Sequence, residues 1–106
     1  MDNVLLLLTN LPDAQSARNI ARHLIEQRAA ACVNILPQCS AVYQWQGKIE
    51  EANEVPLLIK TTESAYVRAE KIIREHHPYE LPEIIAVPVV AGLPAYLQWV
   101  HAETLN

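Results

Sequence analysis

The segment His76-His77-Pro78-Tyr79-Glu80-Leu81-Pro82-Glu83 gathers two of the chain's four histidines, two carboxylates, a tyrosine and two prolines. Imidazole beside carboxylate is a donor set for borderline metals such as copper or zinc. Adjacent histidines cannot share one helical metal site, which needs i,i+4 spacing. Helical phase separates them: His76 continues the stripe Ala69, Ile72, Ile73 and is expected to face inward, with His77 rotated away. Glu83, opening a strand after a proline-bounded turn, could return near His76. A purely structural role competes. A histidine in the last helical turn suits the free carbonyls and the helix dipole, and Glu83 would then pair with Lys60 or an arginine.

Tyr43, Trp45, Glu50, Glu54 and Lys60 form a second set. Aromatic rings beside carboxylates can bind a small ligand or cation, and they equally anchor interfaces between proteins. Lys60 closes an apolar strand, where a lysine acts as a base of lowered pKa or, more commonly, is ion-paired. Cys32 has no neighbouring base in sequence to make it a nucleophile. If Cys32 and Cys39 lie on one extended segment, they stand roughly 23 Å apart, too far for a bridge. Two reduced, mostly buried thiols are expected. With only two glycines there is no phosphate-cradling loop, and hydrolase, kinase, zinc-finger and dinucleotide motifs are absent.

These residues need positioning elements. Val4 to Thr9 is apolar without alternation, which fits a central strand covered on both faces. Asp13 is placed to cap a helix running to about Arg28, with Ala14, Ala17, Ile20, Ala21, Leu24 and Ile25 on one face. Ala31 to Trp45 reads as extended chain interrupted at Pro37. Gln46-Gly47 is a two-residue turn, which sets Tyr43 opposite Glu50 and Cys39 opposite Glu54. Lys48 to Thr61 returns. Thr62 is placed to cap a second helix carrying a Glu70–Arg74 pair, and Pro78 stops that helix near His77. Glu83 to Val90 is a last strand with Pro88 at an edge, and Pro94 opens a terminal helix. The order β-α-β-β-α-β plus a helix is the α+β, ferredoxin-like split βαβ plan with a long central hairpin. Its first and third strands are central.

The chain has 106 residues, about half of them apolar, so one domain over 1–106 is expected. The net charge of −4 is spread along the chain and argues against a nucleic-acid surface. An RNA-binding version of this fold would also need aromatics on its central strands, where Leu57-Leu58-Ile59 stands. The start lacks a basic region, and its apolar run is too short for a signal peptide or membrane span.

In order and spacing, Ala30-Ala31-Cys32-Val33-Asn34-Ile35, Ser40, Tyr43, Trp45, Gly47-Lys48-Ile49-Glu50, Glu54, Lys60-Thr61, His77-Pro78-Tyr79, Pro82-Glu83 and Tyr96-Leu97-Gln98-Trp99 resemble the CutA divalent-cation tolerance proteins. The match covers nearly the whole chain. It implies a ferredoxin-like fold, a compact homotrimer similar in architecture to the PII signal proteins, a cytoplasmic location, and a part in tolerance of copper and other divalent ions without an established reaction. A copper site of the family implies His76 and Glu83 as ligands. Its third ligand, a cysteine ending the first strand, is replaced here by Leu8-Thr9-Asn10. The second reading is a PII-like signalling module. It would bind a small ligand at a subunit cleft through Tyr43, Trp45, Glu54, Lys60, His77 and Tyr79, and would act on an unidentified partner. A third is an enzyme using Lys60, Tyr43 or His77 there.

Hairpin strands of about 14 residues span roughly 45 Å, whereas a 15-residue helix spans about 23 Å. The distal hairpin therefore outruns its helices and leaves strand edges that other subunits would pair. The prediction is a homo-oligomer; a monomeric mass by light scattering at micromolar concentration would overturn it.

Overall fold

The computed structural model describes residues 2–105. Its elements are β1 (Val4–Leu11), α1 (Ala14–Glu26), β2 (Cys32–Ile35), β3 (Cys39–Trp45), β4 (Lys48–Thr62), α2 (Tyr66–His76), β5 (Ile85–Pro88) and α3 (Pro94–Glu103). β1 and β4 pair antiparallel along all of β1, from Val4 opposite Thr62 to Leu11 opposite Val55. β2 flanks β4 and β5 flanks β1, giving the order β2-β4-β1-β5, and β3 pairs with the distal half of β4. This is the split βαβ plan, with the two continuous apolar runs at the centre.

One sheet face is filled. Leu5, Leu7 and Leu11 of β1 meet Val55, Leu57 and Ile59 of β4 beneath Ala17, Ile20 and Leu24 of α1 and Ala69, Ile72 and Ile73 of α2. Each fully buried Leu or Ile contributes roughly 1.5–3 kcal/mol. The other face carries Leu6, Leu8 and Leu58, half-buried, with Ile85 and Val87 exposed. At one end α3 crosses the central strands, where Thr104 meets Thr62 hydroxyl to hydroxyl at 3.5 Å.

Local chemistry sets the boundaries. Asp13 caps α1, its carboxylate accepting from Ser16 N at 2.7 Å. The helix ends at Glu26, two residues short of expectation, and Arg28 takes a positive φ of 57°. Arg28 then donates to the carbonyls of Ala102 and Leu105, both at 2.7 Å, tying the exit of α1 to the free end of α3. Thr62 ends β4 rather than opening α2. Its hydroxyl accepts from Ala65 N at 3.3 Å, so it steadies the turn before a helix that starts at Tyr66. Glu70 accepts from the Tyr66 hydroxyl at 2.8 Å rather than pairing with Arg74. Pro37 splits the expected second strand. Leu36 N still donates to Pro56 O at 2.9 Å, and the next residue has no amide to continue the ladder.

Gln46 and Gly47 both take positive φ, 50° and 80°, as a two-residue turn matching strand twist requires. The turn sets the predicted register: Tyr43 opposite Glu50 and Cys39 opposite Glu54. The distal hairpin lies bare, with Val42, Tyr43, Trp45 and Ile49 exposed. The last strand is shorter than expected, Ile85–Pro88, at the sheet edge where Pro88 belongs. One expectation fails outright: Cys39 is exposed and Cys32 only half-buried, because the hairpin face that carries Cys39 has no layer above it.

Among the described residues, Thr9 Oγ1 is the buried side-chain polar atom without a hydrogen-bond partner. Leaving such a group unpaired costs about 1–3 kcal/mol, so Thr9→Val, equal in shape, should raise stability by about that much. Leu57→Ala, on the same face, should lower it by about 2–5 kcal/mol. Thermal unfolding checks both, and a lower midpoint for Thr9→Val would reject the account of Thr9.

Candidate functional site

α2 ends at His76 because Pro78 forbids helical backbone at His77, which turns extended at φ −79° and ψ 133°. This reverses the expected roles of the two histidines. Helical phase no longer governs His77, and its ring folds back under the corner to become the buried one, 9% exposed. Its Nε2 lies 2.7 Å from the carbonyl oxygen of Asn10, and its Nδ1 accepts from Tyr79 N at 3.1 Å. A carbonyl can only accept, so Nε2 carries the proton and the ring is neutral. Burial lowers the His77 pKa, against the smaller opposing pull of the Asn10 carbonyl and the Glu54 charge.

Tyr79 carries the corner across to the hairpin. Its hydroxyl donates to Glu54 Oε1 at 3.3 Å, and its ring tilts against His77 with centroids 4.8 Å apart. Burial, then the nearby Glu54 carboxylate, raises its pKa and keeps it a donor. Glu54 is a buried carboxylate. Three residues from the two sequence sets, Glu54, His77 and Tyr79, thus meet at one corner, their hydrogen bonds running among themselves and to the backbone, while Tyr43 stands farther along β3, opposite Glu50.

Lys60 and Trp45 are elsewhere. Trp45 lies opposite Lys48 at the hairpin tip, and Lys60 opposite Cys32. Each is six residues along β4 from Glu54, roughly 20 Å. Lys60, half-buried, donates from Nζ to Asn34 Oδ1 on β2, a neutral partner rather than the carboxylate of the expected ion pair.

The expected metal ligands are drawn to different neighbours. Glu83 accepts from Asn10 Nδ2 at 3.3 Å. His76, half-buried, stacks on His23 of α1 with ring centroids 3.9 Å apart and planes 12° from parallel. Among the described residues no three His, Cys, Asp or Glu side chains are grouped to hold an ion. Sequence reasoning missed both His23 and Asn10. His23 lies three residues after Ile20, beside the buried stripe of α1, but periodicity names no partner on another helix. Asn10 works mainly through its carbonyl, which no residue type signals.

Residues 5–103 match the family model described as CutA1 divalent ion tolerance protein. The chain is 48% identical over 93 residues to mouse "Protein CutA", covering 88% of this chain and 52% of that protein. It is 42% identical over 98 residues to the "Divalent-cation tolerance protein CutA" of Thermus thermophilus, covering 92% and 95%. The chain thus spans about half the length of the mouse relative and nearly all of the bacterial one. Among solved structures, the Thermus thermophilus divalent cation tolerance protein superposes with a TM-score of 0.94 at 40% identity, covering 95% of this chain and 98% of that one. CutA1 from Shewanella sp. SIB1 gives 0.95 at 39% identity, with coverages of 99% and 98%. No described helix is long and apolar enough to cross a membrane.

A neutral His77 makes the corner sensitive to acid. Its folded-state pKa lies below its unfolded value near 6.5. The unfolded chain therefore takes up the proton first, and stability is lost as pH falls from the ordinary histidine range through the lowered folded value. His77→Gln should show a shallower loss across that window in denaturation series run from about pH 8 to about pH 5. Equal slopes in the two proteins would place the acid lability on other groups.

Proposed function

The chain belongs to the CutA1 divalent ion tolerance family, and on that premise we propose that it protects its cell against excess copper and related divalent ions as a cytoplasmic homotrimer. The observation that carries this reading is the family match across residues 5–103, joined to a superposition on proteins whose names denote cation tolerance. Those names denote a tolerance rather than a reaction, and the reading assigns no catalytic step.

The trimer has physical support within one protomer. Leu6, Leu8, Leu58, Ile85 and Val87 leave an apolar sheet face short of cover. The hairpin beyond the helices presents Val42, Tyr43, Trp45 and Ile49. β3 and β5 each offer an outer edge, the kind of backbone that pairing with another copy satisfies.

Copper contact in this reading is weak and centres on His76, with Glu83 as its expected companion. The donor set fits only in part. Imidazole and carboxylate suit Cu(II) or Zn(II), while the thiol that favours Cu(I) is absent from the end of β1, where Thr9 and Asn10 stand. The small-ligand reading draws on Tyr43, Glu54, His77 and Tyr79 alone, because Lys60 and Trp45 lie far along β4.

A cell lacking this protein should grow less well than its parent in raised copper. Re-expressing the wild type should restore growth, and His76→Ala should restore it less. No sensitivity in the deletion strain would reject the function; equal rescue by both proteins would reject His76 as the metal contact and leave the function standing.

A further inference from the structure

We propose that one face of the hairpin, from Glu54 to Glu50, binds a linear diammonium ligand, a polyamine, with a carboxylate and a tyrosine at each end. The inference rests on the small-ligand reading of the corner and deepens it by naming the ligand's charge and length.

Glu54 is the one carboxylate buried among the described residues, 7% exposed. Buried charges are ordinarily paired. Glu54 has no cationic partner: the ion pair of the described residues joins His101 to Asp2, and the imidazole of His77 is neutral. Its one hydrogen bond comes from the Tyr79 hydroxyl to Oε1, long at 3.3 Å, and Oε2 receives none. Among the described residues the sealed polar atom without a partner is Thr9 Oγ1, so Glu54 Oε2 keeps access to solvent. It does so beside Cys39, its exposed register partner.

Register extends the site. Strand residues two apart share a face, and so do register partners. Glu54, Ala52 and Glu50 of β4 therefore line up with Cys39, Ala41 and Tyr43 of β3. Ala41 and Ala52 on this face are half-buried, whereas Ser40, Val42, Glu51 and Asn53 on the opposite face are exposed. The two ends of the face repeat one arrangement: Tyr79 against Glu54, and Tyr43 directly opposite Glu50. Between them the two alanines leave a low floor. Both rings are partly open, Tyr79 36% and Tyr43 44% exposed. Glu50 makes no ion pair, although Lys48 stands two residues away on the same face.

A carboxylate beside an aromatic ring takes an ammonium group by charge and by cation–π attraction. A metal ion fits less well, because no three His, Cys, Asp or Glu side chains are grouped among the described residues. Glu50 and Glu54 lie four residues apart on one strand, roughly 13 Å. A ligand with an ammonium group at each end, about that far apart, satisfies both carboxylates and lays its aliphatic chain over Ala41 and Ala52. The triamine spermidine has this form.

Calorimetric titration of the intact protein with spermidine should show one molecule bound per chain. n-Butylamine, with a single ammonium group, should bind at least about tenfold more weakly, and Glu50→Gln and Glu54→Gln should each weaken spermidine by about the same factor. Glu26→Gln, at the exposed end of α1, should leave binding unchanged. In the unmutated protein, spermidine below saturation should shift the ring resonances of Tyr43 and Tyr79 before those of Tyr66 and Tyr96, a readout independent of whether any variant folds. Equal weakening by Glu26→Gln, or a shift at Tyr79 without Tyr43, would overturn the diammonium site. If spermidine does not bind but a neutral metabolite raises the unfolding midpoint of the wild type and not of Tyr79→Phe, the diammonium site falls and the small-ligand reading stands. If neither binds, both fall.

Discussion

The antiparallel pairing of β1 with β4 is the constraint on which everything else hangs. Leu7, Leu57 and Ile59 are completely buried, so the backbone that carries them can reach no water and must bond to another strand. Eight residues of β1 meet eight of β4 without a break. That pair accepts β2 on one side and β5 on the other, and α1 and α2 lie across its filled face. β4 continues past the end of β1, and that overrun is what carries the bare hairpin.

The corner after α2 depends on the same pair. Asn10 stands near the end of β1, opposite Pro56, and its carbonyl bonds to His77 rather than to the sheet's next strand. One neutral imidazole therefore joins the end of a helix, the end of a central strand and the amide of Tyr79. Tyr79 then reaches Glu54 on β4. His77 is in this way a strut, both nitrogens occupied. Its neighbour His76, kept in the helix by one residue of register, is left with a ring free to meet another.

The molecule is asymmetric about its sheet. The helix face is filled with aliphatic side chains; the other shows Ile85 and Val87 and is crossed only at one end by α3, held there by Arg28 and by the Thr62–Thr104 contact. The exposed apolar surface and the helix layer thus lie on different sides of the sheet. The corner after α2 adjoins the hairpin, through the Tyr79–Glu54 contact.

From the sequence alone, the element order, the central strands, the break at Pro37, the Gln46-Gly47 turn and the register it imposes are all legible. Each rests on local rules: apolar runs, missing amides, positive φ at a turn, and a side-chain period of two. The family is legible too, because its motifs run along the whole chain. The partnerships of the candidate site are not. His76 with His23, Glu83 with Asn10, and Lys60 with Asn34 each join residues 26 to 73 positions apart. Helical phase misorients His77 because the helix that justifies it ends one residue earlier, at His76. Sequence periodicity fixes which face of its own element a side chain takes. Only the packing of one element on another decides which side chain it meets there, and a metal site or a buried strut is made of such meetings.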